Sequence, residues 1–196
     1  MAGRPRTVSN ADILAATRRV IARVGPARLT LAEVAGEVGL VPATLIQRFG
    51  SRRGLLVAYA EHAVTLVGPR FRSACCESTS PLDALHRAFE NMSEGVATPQ
   101  ALANSLAILQ LDLTDPDFNR HARAFQDAAR AEVRALLDAA VAAGELRACD
   151  IARLARAVYT AYNGALVTWA IDQHGPLADW LRDDIEQALA PFRTVA

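Results

Sequence analysis

The stretch Thr30-Leu31-Ala32-Glu33-Val34-Ala35-Gly36-Glu37-Val38-Gly39-Leu40-Val41-Pro42-Ala43-Thr44-Leu45-Ile46-Gln47-Arg48-Phe49 decides the fold. It reads as two short helices joined by a tight turn. Thr30 can cap the first, and Glu33 three positions later completes a capping box. Leu31, Val34, Ala35 and Val38 fall on one face at helical spacing. Gly39 stands where that helix must stop, because glycine reaches the left-handed conformation a stop requires. Pro42 suits the first turn of the next helix, where its missing N–H had no partner to lose. Leu45 and Phe49 give that helix a buried face and leave Ala43, Thr44, Gln47 and Arg48 facing out. Ala35, Gly39 and Leu45 are the small, turning and apolar positions that let two helices cross steeply, as in a helix-turn-helix. An outward face of small, hydroxyl, amide and guanidinium groups suits the major groove of DNA. The same pattern also occurs in plain helical hairpins.

The flanks extend this unit. Ser9 caps a preceding helix, with Asp12 at the capping-box position and Ile13, Ala16, Val20, Ile21 and Val24 inward; Gly25-Pro26 ends it. Three helices thus form an N-terminal head. Ahead of it, Arg4-Pro5-Arg6 forms a basic arm, suited to a narrow minor groove or simply to solvent and phosphates. After Phe49, Gly50 ends the helix and Ser51 caps the next. Arg52 and Arg53 then occupy a first turn, where the helix dipole disfavours cations. A nearby anion would explain them, and a DNA phosphate is the natural candidate; two solvated arginines are the alternative.

Charge divides along the chain. The 196 residues carry no net charge, yet the first 60 hold nine arginines against three acids, and the remainder reverses that surplus of six. A basic head on an acidic body is the footprint of a polyanion-binding module joined to something else. All 21 basic residues are arginine, which reads as a compositional trait. With 52% hydrophobic residues, a sizeable core can form and disorder is not expected. No apolar run is long enough for a membrane span and no signal-peptide pattern follows the basic start, so a cytoplasmic protein is expected. Cys75, Cys76 and Cys149 show no metal-ligand spacing and read as reduced thiols.

The rest reads as helices throughout. One runs from about residue 54 to 72, followed by a loop from Ser73 to Ser80. Others start at Ser80-Pro81, Thr98-Pro99 and Asp115-Pro116, the last ending at Gly144. Another runs from Asp150 to Gly175-Pro176, and a final one holds Leu177 to Leu189. The fold class is therefore all-α with about nine helices. Residues 1–53 form the helix-turn-helix DNA-binding domain, and 54–196 a larger helical domain.

In Thr30-Leu-Ala-Glu-Val-Ala, then Gly39-Leu, Ala43-Thr44-Leu45 and Phe49-Gly50-Ser51-Arg52, the chain resembles the tetracycline-repressor (TetR) family of bacterial transcriptional regulators. The match is strongest over residues 9–56. The resemblance implies a homodimer on a near-palindromic double-stranded DNA operator, with a small molecule altering DNA affinity and repression the commoner mode. It implies that Thr30 and Thr44 meet phosphates, that Pro42, Ala43, Gln47 and Arg48 lie at or near the groove, and that Arg52 replaces the family's usual phosphate-binding residue. The family usually has an aromatic pair where Ile46-Gln47 stands, and histidine is common at the place of Arg48.

Family and composition together imply an effector region. Phe89, Met92, Leu109, Phe125 and Tyr162 supply apolar surface, with Gln110 and Asn163 as polar groups among it; plain core is the alternative. Asn104 also borders that surface. With no cluster of buried charge evident, the expected effector is small and hydrophobic. The last two helices can form the dimer seam through Trp169, Trp180, Leu181, Ile185 and Leu189, with intramolecular core the alternative for part of this set. The helix linking head to body is the expected lever of a population shift. No cofactor, metal or catalytic residue is assigned. Two rivals remain. A helical metal-dependent enzyme would use Asp83-x-x-His86, but His62, His86, His121 and His174 are scattered. An interaction module without DNA binding would set the basic head against an acidic protein.

Overall fold

The structure is a computed structural model describing residues 8–96 and 98–194; Arg4 and Arg6 of the arm lie outside the described residues. These hold nine α-helices and a terminal 3-10 turn: α1 (Asn10–Arg28), α2 (Leu31–Glu37), α3 (Pro42–Phe49), α4 (Arg52–Glu77), α5 (Pro81–Met92), α6 (Pro99–Thr114), α7 (Pro116–Ala142), α8 (Ile151–Asp172) and α9 (Leu177–Leu189). No strand forms among them, as the all-α reading expects.

The caps follow from the sequence. Ser9 Oγ accepts from the Asp12 N–H at 3.1 Å, and Asp12 returns the contact to the Ser9 N–H at 2.9 Å. Thr30 and Glu33 repeat the exchange at 3.2 and 3.0 Å. Each box satisfies two backbone donors that a helix start would otherwise leave open. Gly39 (φ +69°) turns the chain after α2, and Pro42 opens α3. Ile13, Ala16, Val20, Val34, Ala35, Leu45 and Leu55 are fully buried and form the core of the head. The turn from α3 into α4 closes so tightly that a Cβ on Gly54 would lie 2.0 Å from the Phe49 carbonyl oxygen.

One boundary differs from expectation, and the head core reaches past residue 53. The residue 53/54 division falls inside the first turn of α4, and Leu55 and Leu56 complete the head core. The expected loop at 73–80 is helical through Glu77. Phe71 and Ala74 are buried and carry the inner face onward, while Ser73 Oγ donates to Glu77 Oε1 at 3.1 Å one turn ahead. One helix therefore runs from the head core into the body core.

The body core gathers Val67 and Phe71 of α4, Leu85 and Phe89 of α5, Val133 and Leu137 of α7, Val158 of α8 and Ile185 of α9. Helices α8 and α9 pack extensively on each other. Most of the residues expected at the dimer seam serve as intramolecular core. Trp169, Leu181, Ile185 and Leu189 are buried within the protomer, and Trp180 is half-buried, its indole N–H donating to the His174 carbonyl at 2.7 Å. Those side chains hold α9 onto α8 and are not free for a partner.

Head and body meet most extensively between α1 and α6. Gly25 (φ +78°, ψ 162°) breaks the helical path of α1, and Pro26 follows. Proline has no N–H, so the Ala22 carbonyl loses its helical donor. Asn104 of α6, 8% exposed, replaces it. Its Nδ2 donates to the carbonyls of Ala22 at 2.9 Å and Arg23 at 3.0 Å. Gln100 Nε2 holds the other end of the amide, donating to Asn104 Oδ1 at 3.2 Å.

Two substitutions test these close fits. Gly54→Ala should remove the native near-ultraviolet signature of the head, since backbone, not a flexible side chain, must yield. Asn104→Ala should lower unfolding stability in urea by about 2 kcal/mol, because two carbonyls at a buried joint lose their donor; a change within measurement error would show the joint to be slack.

Candidate nucleic-acid interface and effector body

On α3, Pro42, Ala43 and Gln47 are exposed and Thr44 is half-buried. No other part of the described chain covers this face. Two large apolar side chains are also exposed here: Val41 at 62% and Ile46 at 52%. The sequence reading missed both as candidate groove residues, yet the signal was present. Ile46 follows the buried Leu45 by one residue, so it is rotated about 100° away from the inner face. Apolar groups there suit thymine methyls.

The arginines have partners within the chain. Arg48 Nη1 donates to the Val8 carbonyl at 2.8 Å and to Asn10 Oδ1 at 3.3 Å, tying the root of the arm to α3. Arg52 caps the frayed end of α1: Nε donates to the Leu29 carbonyl at 2.8 Å, and Nη2 to those of Pro26 and Ala27. Arg53 pairs with Asp115 at 2.8 Å and Asp117 at 2.9 Å, at the α6–α7 junction. The hydrogen bond to Asp115 raises the proton affinity of Arg53, and the same bond holds the Asp115 carboxyl below its ordinary range. The anion sought beside Arg53 is thus in the chain itself. Thr30 is engaged in its own cap. Glu37 is clasped by Arg23 at 2.6 Å and Arg19 at 3.3 Å, and its carboxyl is held down by those bonds.

Of the expected effector residues, Phe89, Met92, Phe125 and Tyr162 share one core, whereas Leu109, Gln110 and Asn163 are exposed. Phe89 and Tyr162 are buried and stacked at 4.5 Å. Burial pushes the Tyr162 phenol up to about 12, with Ser93 Oγ 3.3 Å from its hydroxyl. Met92 and Phe125 are half-buried against the same core. Leu109 is 46% exposed, and Gln110 and Asn163 are exposed. Asn163 Nδ2 donates to its own helix at the Tyr159 carbonyl, 2.7 Å away. The cause is the rotation of α6: Leu102 and Asn104 are buried, the latter on α1, so Leu109 and Gln110 turn outward. A groove of about 590 Å³ opens instead between α6 and α8, bordered by Leu106, Val167 and Ile171.

The charge reading also changes. Half-buried Asp112 lies in the apolar run Ile108-Leu-Gln-Leu-Asp-Leu113, and burial alone pushes its carboxyl up to about 6. Half-buried Arg70 on α4 has its proton affinity lowered, first by burial and then by Arg18. The Asp83/His86 pair is split: Asp83 accepts from the Thr79 N–H, whereas His86 Nε2 lies 2.7 Å from Glu186 Oε1. Among the described residues, no three His, Cys, Asp or Glu side chains gather as a metal site. Their three cysteines are free, and no helix is long and apolar enough to cross a membrane.

A compact three-helix head with an uncovered second helix of its helix-turn-helix, fused to a helical body, defines a helix-turn-helix regulator of transcription. Residues 13–59 match the family model described as bacterial regulatory proteins, tetR family, and residues 81–192 match that of the BetI-type transcriptional repressor, C-terminal. The chain belongs to the TetR family. Among solved structures, a TetR transcription regulator from Haloarcula marismortui is 17% identical with a TM-score of 0.77, covering 94% of this chain and 98% of its own. A putative TetR-family regulator from Rhodococcus sp. is 22% identical at 0.71, with the same coverages. The regulator FadR from Bacillus subtilis, in complex with stearoyl-CoA, is 16% identical at 0.69, covering 93% and 98%. At such identities these likenesses show the fold alone. No curated protein matches the sequence.

Asp112 gives a pH test. Its folded value of about 6 exceeds the ordinary 3.8, so the folded chain holds the proton longer than the unfolded one. Its stability penalty is absent below about pH 4, grows as pH rises toward 6 and is complete above. Asp112→Asn should therefore unfold later in urea than the native protein at pH 8. The gain should be about 1 kcal/mol after solvent screening, vanishing at pH 4.

Proposed function

We propose that the chain is an effector-responsive transcriptional repressor that binds a near-palindromic operator as a homodimer. The observation that carries this reading is the outward face of α3, uncovered by the rest of the described chain. In the groove, Gln47 is placed to read adenine, while Val41, Ala43 and Ile46 offer apolar contact to thymine methyls. Pro42 sits at the helix start, with Thr30 and Thr44 toward phosphates. Arg48 reads guanine only on releasing the Val8 carbonyl; otherwise it steers the arm carrying Arg4 and Arg6. Arg52 contributes positive potential near the backbone, and Arg53 does so only on releasing Asp115 and Asp117. A regulator of this kind acts in the cytoplasm.

The dimer seam we infer lies on the opposite face of α8 from the buried tryptophan. Ala157, Thr160, Gly164, Val167 and Ile171 are exposed and alternate three and four residues apart, the spacing of a helix–helix seam. A Cβ on Gly164 would meet nothing within 4 Å, so a partner helix can approach closely. With α9 beside it, this face forms half of a four-helix bundle about a two-fold axis. Exposed Leu106 of α6 borders it across the groove.

Support for an effector comes from the family match to a repressor's C-terminal region and from the relative that holds stearoyl-CoA. The effector acts by favouring a body conformation that separates the heads wrongly for two half-sites one helical turn, or a multiple of it, apart. Helix α4 and the Asn104 joint carry that change to the head.

Electrophoretic shift with DNA flanking the gene tests the core reading. A specific, competable complex should form, with a log–log salt slope of roughly −5 to −7. Gln47→Ala should weaken it about tenfold without altering the slope. Absence of any sequence-selective complex in dilute buffer would sink the reading. For the seam, joint Val167→Glu and Ile171→Glu substitution should give folded monomers by sedimentation and abolish operator binding; an unchanged dimer would place the interface elsewhere.

A further inference from the structure

Among the described residues, the exposed large apolar side chains fall into two groups. Val41 and Ile46 belong to the helix-turn-helix, and Leu106, Leu109, Leu113, Val167 and Ile171 to α6 and α8. Apolar side chains scattered singly need no partner, but a set that lines one cleft marks a binding face. Leu106, Val167 and Ile171 border the groove of about 590 Å³, with Ala103 on its α6 wall. That volume lies within the roughly 300–1,000 Å³ of clefts that hold small molecules. No charged side chain lines the groove; its polar groups include the side-chain amides of Gln100 and Gln173. The Gln173 side-chain amide is exposed and makes no hydrogen bond among the described residues. Gln100 makes one, from Nε2 to Asn104 Oδ1 at 3.2 Å. Behind Gln100 stands the head. Asn104 holds the carbonyls of Ala22 at 2.9 Å and Arg23 at 3.0 Å, and a Cβ on Gly25 would lie 3.3 Å from Asn104 Oδ1. One side chain thus separates the groove wall from the broken end of α1.

We propose that the effector site is this α6–α8 groove, and that its ligand is an uncharged amphiphile whose polar group is a carbonyl, received by Gln100 and Gln173. This rests on the reading of the body as an effector domain and of the outer face of α8 as the seam. It moves the ligand from the Phe89–Tyr162 interior to the edge of that seam. Val167 and Ile171 line the groove and also belong to the face of α8 assigned to the second protomer. A second protomer seated there covers the mouth of the groove, so the ligand is enclosed only in the dimer. The lining selects against charge. A carboxylate or ammonium gives up hydration against a wall with no opposite charge, whereas a neutral carbonyl gives up less and takes an amide N–H in return. A glutamine nitrogen carries two N–H groups; one from Gln100 goes to Asn104, and the second serves the ligand. Held at both ends, Gln100 steadies the Asn104 amide, and the ligand thereby fixes the end of α1 against α6.

Thermal unfolding of the full chain at neutral pH and fixed ionic strength tests the proposal with three compounds of one chain length: octanamide, sodium octanoate and octyltrimethylammonium chloride. At about 1 mM, octanamide should raise Tm by about 4 °C and the two charged compounds by less than about 1 °C. Ala103→Trp, at an exposed position, fills the groove and should remove the increment; Leu106→Ser, which strips the same wall, should reduce it. Gln100→Leu keeps an apolar wall and should lose about half of the increment, measured from its own Tm. With octanamide bound, amide hydrogen exchange over residues 22–29 should slow about threefold, and in Gln100→Leu it should not. The proposal is overturned if octanamide gives no increment, if either charged compound matches it, if both groove variants retain it, or if exchange over residues 22–29 is unchanged. A groove filled by the second protomer's own side chains would show as no increment and a dimer broken by Ala103→Trp in sedimentation, which overturns it too. Sedimentation reports the dimer and no DNA enters these measurements, so failure of the seam or of operator binding is a separate result.

Discussion

The last turn of α1 cannot satisfy itself. Pro26 has no N–H for the Ala22 carbonyl, and Gly25 swings the chain out of helical geometry. The missing donor comes from Asn104, some eighty residues away in sequence, and Gln100 fixes that amide in turn. Head and body are therefore not two units joined by a tether. The head's first helix ends correctly only when α6 lies against it, so the orientation of α3 toward any outside partner is inherited from the body.

The arginines reinforce the same joint. Arg52 closes the end of α1 from the start of α4, and Arg53 reaches from that start to the aspartates that open α7. Arg48 gathers the first described residues onto α3. Much of the head's positive surplus is thus engaged in holding the head together and against the body. What α3 presents outward is small, amide-bearing and apolar, a surface that discriminates by shape and methyl contact more than by charge.

The head was legible because its signals are local. Ser9 with Asp12, Thr30 with Glu33, Gly39 and Pro42 each act within one turn of helix, so spacing alone places them. Effector and dimer surfaces were not, because they depend on how helices rotate about their axes. Leu109 and Gln110 sit in a run apolar on nearly every side, and only the docking of Asn104 onto α1 determines which side is outside. Trp169 and Leu181 looked available until α9 folded back onto α8.

Continuity of α4 has a mechanical corollary. Twenty-six residues of helix, with Pro69 removing one backbone hydrogen bond inside it, make a rod about 39 Å long. Pivoted near its body end, such a rod converts a tilt of about 5° into an arc of roughly 3 Å at its tip, a figure that scales directly with the 1.5 Å rise per residue. Two tips moving in opposite senses double that displacement. Sub-ångström repacking deep in the trunk is therefore magnified at the periphery by leverage alone.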